Sequence, residues 1–587
     1  MSPTSCRRRN KGTGFVFRVK RQRQSFFRTP HNQKQTTTLP APIPILMKSK
    51  LLLFLLLLPV TLFAQQYIHP QQDNRQREQI NPYGDLDFEQ VKKLQMAQVA
   101  ITCLYVDSVD QKKLVEDAIN GILSKLDPHS SYTNASDTKK LNEPLAGNFE
   151  GIGVSFNMVE DTLLVLQVIG KGPCQKVGVL AGDRIIACND RVIAGVKMDR
   201  DTIMSILRGP KGTKARLKVV RRGVEEPIFF DVIRDKIPLN TLDAGYMLNS
   251  TIGYIRLESF GATSGVEVHD KIKELRKQGM KDLILDLTAN GGGLMAAAQD
   301  VATEFLPQGS MVVYAEGRTA PRQELKATSG GLMQQEGRVV VLVDETTASA
   351  AEIVSGAIQD HDRGVIIGRR TFGKGLVQRP VDLPDGSMIR LTVSHYYTPS
   401  GRCVQKPYKK GDKKAYDKDL DTRFEHGELT CLDSIHLDST KVYKTLVKGR
   451  TVYGGGGIMP DIFVPLDTTL ITPFYRQLRR HNLINDQVLK FVDANRREIQ
   501  SKHKKFDSYI KNYTVPASLI DAIFAAAEKK KVTPKDEEER KKTVEQLEVS
   551  LKELIAYDIW ERNEYFRLVN RRNDILKRAL EYLETGK

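Results

Sequence analysis

Two side chains that could act together lie twenty-five residues apart in the stretch 338–378. Ser349 follows an apolar, β-rich run and the polar turn DETT, and it stands where a helical run begins. Lys374 is flanked by glycines in a second tight loop between two strand-like runs. A serine at a helix N-terminus gains from the positive end of the helix dipole, which favours the alkoxide formed during attack. The pattern predicts a strand, an elbow and a helix that present Ser349, with the N–H of Ala350 beside it.

A serine at this position could equally be a helix cap, which is its commonest role there. As a nucleophile Ser349 needs a base, and the nearest histidine, His361, lies twelve residues further on. That separation is about 18 Å along an intact helix, so His361 cannot hydrogen-bond to the serine. The other histidines lie in no triad-like context.

Lys374 is the remaining base. A lysine serves as a general base when burial lowers its pKa from about 10.4 towards about 7–8. Its loop can bring the amine against protein, and Gln378 could hydrogen-bond to the amine and orient it. Residues 368–375 also match the GxxxxGK pattern of a phosphate-binding loop. However, Gly375 stands where Ser or Thr should hold Mg²⁺, and a strand-like run follows instead of a helix, so nucleotide binding is disfavoured.

Two glycine-rich segments offer backbone N–H groups. The turn at residues 291–293 follows the buried run DLILDL, and its glycines allow the close approach that an oxyanion donor needs. A flexible or phosphate-binding turn is the alternative. Gly151, Ile152, Gly153 and Val154 could form a nest of amides that binds a carboxylate, although a simple tight turn is also possible. Together with the run GPCQKVGVLAGDRIIACND, this segment resembles a PDZ domain, which binds peptide C-termini.

Several motifs together resemble one family. TASAAEI around Ser349, RTFGKGLVQ around Lys374, LDLTANGGG, YYTPSGRCVQ, GGGIMPDIFVP and the PDZ-like segment are similar to the carboxyl-terminal processing peptidases, also called tail-specific proteases. The resemblance covers roughly residues 85–470. It implies an α/β peptidase core akin to the crotonase and caseinolytic protease folds, and a reaction without metal or cofactor.

The resemblance also implies roles for individual residues. Ser349 would be the nucleophile, Lys374 the general base and Gln378 the residue that positions the lysine. The oxyanion hole would combine the N–H of Ala350 with one from the glycine turn, at Gly292 or Gly293. The sequence departs from the family at Thr288 and Gly292, where Arg and Asn-Pro are common. A noncatalytic, PDZ-based peptide-binding scaffold on the same fold is the alternative function.

Charge and targeting set the remaining expectations. The net charge is +18, but residues 1–50 carry twelve Lys or Arg and no Asp or Glu, which leaves +6 for the rest and no indication of nucleic-acid binding. From Met47, two lysines, an apolar run and a small residue before polar glutamines predict a signal peptide, with Met47 as the true start. The five later cysteines have no disulfide or zinc-site spacing. A periplasmic or cell-envelope location is therefore expected.

The predicted fold is a multidomain α/β and α+β chain with an inserted PDZ domain and helical N- and C-terminal regions. Its expected partners are proteins with accessible C-termini; a homodimer, an adaptor protein and a peripheral or anchoring membrane contact are further expectations. The predicted segments are a basic extension (1–46), the signal peptide (47–64), an N-terminal helical region (83–140), the PDZ domain (147–235), the peptidase core (240–405), a charged surface insertion (406–450), a return to the core (451–470) and a C-terminal helical domain (471–587).

Overall fold

A computed structural model describes residues 86–469 and 471–586. The predicted basic extension and signal peptide lie outside these residues. Within the described ranges, no helix combines the length and the apolar character needed to cross a membrane.

Three helices and a short strand open the described chain. They are α1 (Phe88–Leu104), α2 (Gln111–Leu123), β1 (Ser131–Thr133) and α3 (Ala135–Leu145). Asp87 caps α1 by accepting hydrogen bonds from the N–H groups of the first turn, and Asp110 does the same for α2. Helix α1 buries none of its side chains. The segment that follows α2 ends that helix and adds strand β1 to a sheet of the core, with Tyr132 opposite Ile389.

The next region is a small β-rich domain with its own apolar core. Its elements are β2 (Asn148–Gly151), β3 (Val154–Val159), β4 (Thr162–Val168), α4 (Pro173–Val177), β5 (Arg184–Cys188), β6 (Arg191–Val192), α5 (Arg200–Leu207), β7 (Lys214–Val220), β8 (Ile228–Ile233) and β9 (Asp235–Pro238). The main sheet has the order β3-β4-β5-β7-β8, with β6 beside β5, while β2 pairs with β9. Strand β3 is therefore an edge strand, and Arg200 at the start of α5 lies over the ring of Phe156 on that strand.

The central region contains two sheets. Its elements are β10 (Leu242–Met247), β11 (Ile252–Leu257), α6 (Ser264–Lys277), β12 (Asp282–Asp286), α7 (Met295–Thr303), β13 (Met311–Glu316), β14 (Gln323–Lys326), β15 (Val339–Val343), α8 (Ala350–Asp360), β16 (Val365–Gly368), β17 (Leu376–Asp382) and β18 (Met388–Tyr397). The antiparallel sheet has the order β1-β18-β13-β14, with β17 also paired to β18.

The segment 406–450 and the return to the core follow. They contain α9 (Lys413–Asp417), α10 (Asp419–Glu425), β19 (Val442–Lys444), β20 (Thr451–Tyr453) and β21 (Ile462–Phe463). The expectation of a surface excursion is wrong for the first part of this segment. Tyr416 and Arg423 are buried, because they pack against the loop that carries Lys374.

The C-terminal region is helical. Its helices are α11 (Pro473–Arg480), α12 (Leu483–Lys502), α13 (Phe506–Asn512), α14 (Ala517–Lys529), α15 (Glu537–Ile559), α16 (Arg562–Val569) and α17 (Asp574–Thr585). Leu547, Leu551 and Ile555 bury one face of α15 in a common core. Helix α12 packs on the β-rich domain, where Asp493 accepts a 2.6 Å hydrogen bond from Arg184.

The second sheet of the central region has the order β10-β11-β12-β15-β16-β21 and is parallel from β11 onwards. Helices α6, α7 and α8 cover one face, and α17 covers the other through residues such as Leu576 and Ala579. Because both faces are covered, β15 reads as an uninterrupted apolar run. The predicted α/β multidomain class is confirmed. The carboxyl ends of β12 and β15 lie side by side, so the glycine turn and Ser349 emerge at one edge.

Candidate active site

Ser349 lies at a strained elbow between β15 and α8. Its backbone angles are φ 58° and ψ −116°, a combination that costs a residue with a side chain about 1–3 kcal/mol. The carbonyl of Ser349 accepts hydrogen bonds from the N–H of Ile353 (3.0 Å) and the hydroxyl of Tyr396 (3.1 Å). Ala350, the first residue of α8, has no acceptor for its N–H within the helix. The elbow therefore presents both a hydroxyl and an adjacent N–H group.

Glu352, one turn into α8, links the serine elbow to the lysine loop. It is fully buried, and its Oε2 accepts the N–H groups of Ser349 and Lys374, both at 2.8 Å. Its Oε1 accepts the N–H of Gly373 (2.8 Å) and the hydroxyl of Thr371 (2.5 Å). Burial raises the pKa of Glu352, and these hydrogen bonds oppose the rise. One carboxylate thus fixes the backbone of both reactive residues relative to each other.

Lys374 is partly buried in its glycine-flanked loop. Burial lowers the pKa of its amine, and repulsion from Arg390 lowers it further, while Glu352 and Asp127 act in the opposite direction. The net shift is downward, which is the direction a general base requires. Among the described residues, no hydrogen bond is found for the Nζ of Lys374.

The two reactive side chains share one cavity of about 740 Å³. Ala350, the three glycines of the turn and Gln378 line the same cavity, together with Leu141 and Leu145 from α3. The structure therefore brings together every residue predicted for catalysis and for the oxyanion hole. The N-terminal region, which the sequence pattern did not connect to the site, forms one wall.

The glycine turn lies directly against the serine. Gly292 has a φ of 95°, and a Cβ placed on it would lie 2.7 Å from the Cβ of Ser349, so only glycine fits. Its N–H donates to the buried side chain of Asn290 at 2.8 Å and is therefore engaged within the turn. For Gly293, no acceptor of the N–H is found in the described part of the chain. Gly293 is thus the better placed of the two predicted donors.

Gln378 does not contact the lysine amine through a hydrogen bond in this structure. Its Nε2 donates instead to the hydroxyl of Thr392 at 3.3 Å, and that hydroxyl donates to Asp127 at 2.8 Å. Burial raises the pKa of Asp127, but hydrogen bonds from Ser130, His129 and Thr392 outweigh it and hold the pKa below its usual range. An ionised Asp127 can only accept, so the Thr392 hydroxyl must donate to it and accept from the Nε2 of Gln378. The Oε1 of Gln378 is then free to accept from another donor.

The lysine loop is also anchored from behind. Arg423 in α10 donates to the carbonyls of Thr371 (3.1 Å) and Arg370 (2.7 Å), and Gln405 accepts the N–H of Gly375 at 2.9 Å. The ammonium of Lys406 lies 3.9 Å from the ring centre of Phe372. The charged segment after the core thus holds the loop in place.

Thr288, where the sequence departs from the family pattern, contacts a residue on the neighbouring strand. Arg256 on β11 donates to Asp286 and to the hydroxyl of Thr288, each at 2.9 Å. Thr288 in turn donates to Asp286 at 2.7 Å. Arg256, Asp286 and Thr288 therefore form one hydrogen-bonded group at the end of β12.

The structure excludes the two competing sites. His361 ends α8, and its Nε2 contacts the carbonyl of Met311 at 2.7 Å, at the opposite end of the helix from Ser349. The loop that contains Lys374 is followed by strand β17, not by the helix that a phosphate-binding loop requires.

The predicted carboxylate-binding loop lies in the β-rich domain and not in the cavity. The carbonyls of Ile152 and Gly153 accept hydrogen bonds from Cys174 (3.0 Å) and Ile169 (3.1 Å). Among the described residues, no acceptor is found for the N–H groups of Ile152 and Gly153. Gly151 ends β2 and Val154 begins β3, so the two free amides stand at the end of the open edge strand.

Glu352, Asp127 and Arg390 contribute to the site but were missed by sequence reasoning. Glu352 follows Ser349 by three residues, and this Ser-x-x-Glu spacing is the signature of a capping box, which could have revealed it. Asp127 and Arg390 gave no local signal, because they reach the site only through the pairing of β1 and β17 with β18.

Comparison with known families agrees with this geometry. The model of peptidase family S41 matches residues 251–414, and a PDZ domain model matches residues 151–229. The model described as the N-terminal domain of the activating protease CtpB matches residues 60–137. Residues 474–561 match a family of unknown function, DUF8443.

Individual proteins are also similar to this chain. The carboxy-terminal-processing protease of Bartonella bacilliformis is 35% identical over 344 residues, which is 58% of this chain and 76% of the relative. CtpA, a carboxy-terminal processing protease of Bacillus subtilis, is 34% identical over 374 residues, or 63% of this chain and 75% of the relative. A solved structure of a photosystem II D1 C-terminal processing protease is 25% identical to this chain. The match covers 65% of this chain and 94% of that chain, with a TM-score of 0.32.

These matches confirm the predicted family. A relative that is 35% identical is covered over about three quarters of its length, and the matched regions include both the PDZ domain and the peptidase core. The chain therefore belongs to peptidase family S41 and is a serine-type, PDZ-containing carboxy-terminal processing peptidase.

Proposed function

We propose that the protein is a secreted endopeptidase in which Ser349 and Lys374 form a catalytic dyad. The observation that carries the proposal is their common cavity, where Glu352 binds the backbone N–H groups of both residues. The lowered pKa of Lys374 supports its role as the base.

The reaction proceeds through an acyl-enzyme. Neutral Lys374 takes the proton of the Ser349 hydroxyl as the oxygen attacks the scissile carbonyl. The N–H groups of Ala350 and Gly293 stabilise the tetrahedral oxyanion. Lys374 then returns its proton to the leaving amine, and water hydrolyses the acyl-enzyme. Gln378 accepts a hydrogen bond from the lysine amine during these steps, once substrate has completed the site.

Substrate recognition begins at the PDZ domain. We propose that the amides of Ile152 and Gly153, between Gly151 and Val154, bind the terminal carboxylate of an unstructured protein. The substrate adds as a strand to the free edge of β3, since an edge strand presents unpaired backbone groups. The adjoining segment crosses the Ser349 cavity as an extended chain.

The dyad is tested with three proteins and one reporter. A disordered reporter with an apolar C-terminus is incubated with wild type, Ser349→Ala and Lys374→Ala. We expect each substitution to lower kcat by about a thousandfold or more, because dyad members act as a unit. Equal cleavage by all three proteins would contradict the dyad. Absence of cleavage by wild type, with binding of the reporter retained, would support a noncatalytic scaffold instead.

PDZ recognition is tested with the same reporter. Amidation of its terminal carboxylate removes the anion that the amide nest binds, so KM should rise while kcat stays unchanged. An unchanged KM would remove the 151–154 loop from the mechanism.

Location and assembly complete the proposal. We propose export to the periplasm or cell envelope by the predicted signal peptide, tested by fractionation and N-terminal sequencing of the mature protein.

We also propose a homodimer. Its support is α1, where Phe88 and Leu104 are 68% and 81% exposed, whereas the apolar faces of the C-terminal helices pack within the chain. Analytical ultracentrifugation would show a single-chain mass if the dimer does not form.

A further inference from the structure

The cavity around Ser349 contains one permanent charge. Among the described residues that line it, two are basic, Lys374 and Arg390, and none is acidic. Lys374 must lose its proton to act as a base, whereas a guanidinium is a permanent cation in proteins. Arg390 is therefore the fixed charge that a substrate meets in the cavity.

Arg390 is held on a paired strand. In β18 it lies opposite Pro380 of β17 and opposite Ser131 of β1. Thr392, two residues along the same strand, lies opposite Gln378. Side chains two residues apart on a strand share a face, so the side chains of Arg390, Thr392 and Gln378 lie on the same face of the hairpin. Arg390 is about 7 Å along β18 from Thr392, the partner of Gln378.

The guanidinium of Arg390 lacks the partners that comparable arginines of this protein have. Its Nε is shielded from solvent and has no acceptor, a feature it shares with Arg256, Arg370, Arg402 and Arg423. Each of those four pairs through its terminal nitrogens, respectively with Asp286, Glu428, Asp360 and the carbonyls of residues 370 and 371. For Arg390, no hydrogen bond or ion pair is found in the described part of the chain.

We propose that Arg390 is a specificity determinant that binds a carboxylate of the polypeptide substrate near the scissile bond, because Arg390 and Ser349 line the same cavity. The inference rests on the proposed cleavage by Ser349 and Lys374. A polypeptide carries its negative charge as carboxylates, and a guanidinium binds a carboxylate through two parallel hydrogen bonds. The source is either an acidic side chain or the terminal carboxylate of a substrate cut very near its end.

A substrate without this carboxylate is disfavoured for a physical reason. The extended substrate displaces water from the cavity, which leaves the guanidinium both desolvated and unpaired unless the substrate supplies an anion. The expected discrimination between a carboxylate and the amide of the same shape is about tenfold to a hundredfold in kcat/KM.

The test uses matched peptides. The scissile bond of a cleaved reporter is mapped by mass spectrometry, and Glu or Gln is then placed at each of the flanking positions, with a free or an amidated C-terminus. These peptides are cleaved by wild type, Arg390→Gln and Arg390→Lys. Arg379→Gln is the matched control, because Arg379 lies on β17 of the same hairpin but is exposed and outside the cavity.

We expect wild type to prefer Glu over Gln at one position, mostly through KM. Arg390→Gln should abolish the preference, Arg390→Lys should keep part of it, and Arg379→Gln should leave it intact. If the terminal carboxylate is the ligand, amidation will instead lower kcat/KM more in wild type than in Arg390→Gln. Any decrease that is the same in all variants belongs to the PDZ loop.

Two outcomes would overturn the inference while leaving the proposed Ser349–Lys374 dyad intact. One is a wild-type enzyme that cleaves Glu, Gln, free and amidated peptides equally, a result that does not depend on whether the variants fold. The other is an equal loss for all peptides in folded Arg390→Gln, which would mean that Arg390 acts only on Lys374. If wild type cleaves no reporter, or if Ser349→Ala cleaves as well as wild type, the proposed function fails and this inference fails with it.

Discussion

The two sides of the lysine loop are built in opposite ways. On the backbone side, Glu352 accepts the N–H groups of Gly373 and Lys374, and Arg423 donates to two carbonyls of the loop. On the cavity side, no hydrogen bond is found among the described residues for the amine of Lys374 or for the guanidinium of Arg390. The backbone is anchored by buried charges, while the groups that meet the substrate are not yet paired.

The groups that position the lysine loop, Glu352 and Arg423, are thus different from the groups that face the substrate, Lys374 and Arg390. Catalytic groups gain most from a scaffold that is fixed before the substrate arrives, because no reorganisation is then needed during the reaction. Catalytic hydrogen bonds often tighten only when substrate is bound. Changes on the anchored side should therefore alter stability and activity together, whereas changes on the cavity side should alter activity alone.

The largest effect is expected for Glu352. Glu352→Ala removes the acceptor of four hydrogen bonds and leaves the N–H groups of Ser349, Gly373 and Lys374 buried without a partner. We expect the free energy of unfolding to fall by about 3–5 kcal/mol, as for the loss of one partner from a buried charged network. Misplacement of the proposed dyad should lower kcat by about a hundredfold or more. Denaturant unfolding and steady-state kinetics measure both quantities.

Glu352→Gln keeps the volume but replaces one acceptor oxygen with a donor group, so it should retain more stability than alanine and still lose activity. Glu316→Gln is the control, because Glu316 is exposed at the end of β13. Full activity of Glu352→Gln would contradict the idea that both oxygens hold the dyad.

Thr392→Val tests the chain from Asp127 to Gln378 on the cavity side. Valine has the shape of threonine but cannot accept from Gln378 or donate to Asp127, so the amide loses its fixed orientation. We expect kcat to fall about tenfold, KM to stay constant and stability to change little. Thr392→Ser, which keeps the hydroxyl, should restore most of the rate. A KM effect without a kcat effect would assign Thr392 to substrate binding instead.

The sequence was sufficient for the parts of the site that are local. The strand before Ser349, the helix after it and the glycine turn after β12 follow from short apolar runs and turn residues, and the family motifs contain them. These features are determined by neighbours in the chain, so a sequence pattern carries them.

The contacts that position the site were not predictable, because they join distant segments. Asp127 and Thr392 are 265 residues apart, and Arg423 lies 52 residues from Thr371. A charged segment such as 406–450 is usually exposed to solvent. Only the fold shows that Arg423 is buried and donates to carbonyl groups of the lysine loop. The sequence offered the N–H of Gly292 as an oxyanion donor, but this N–H already donates a hydrogen bond to the side chain of Asn290.

Arg423→Met tests the rear anchor of the loop and should have a smaller effect than Glu352→Ala. The change removes two hydrogen bonds to the carbonyls of Arg370 and Thr371, while the methionine fills much of the space. We expect about 1–3 kcal/mol of destabilisation and a severalfold decrease in kcat, without a change in the pH profile. Lys414→Met is the control, because Lys414 is exposed one helix earlier. An unchanged kcat in folded Arg423→Met would show that Glu352 alone anchors the loop.

The smallest expected effect is a displacement of the pH profile in Arg390→Gln. The protonated amine of Lys374 cannot act as a base, so kcat rises with pH through the pKa of this group. Burial and the charge of Arg390 both lower that pKa, and loss of the charge removes the second contribution. The acid limb should therefore move to higher pH, while kcat on the plateau, measured with a Gln peptide, stays close to wild type. His129, whose pKa burial and Lys374 lower to about 4, is neutral across this range and does not create the limb. A limb that stays in place, with the peptide preference lost, would separate the two roles of Arg390: the guanidinium would bind the substrate without tuning the base.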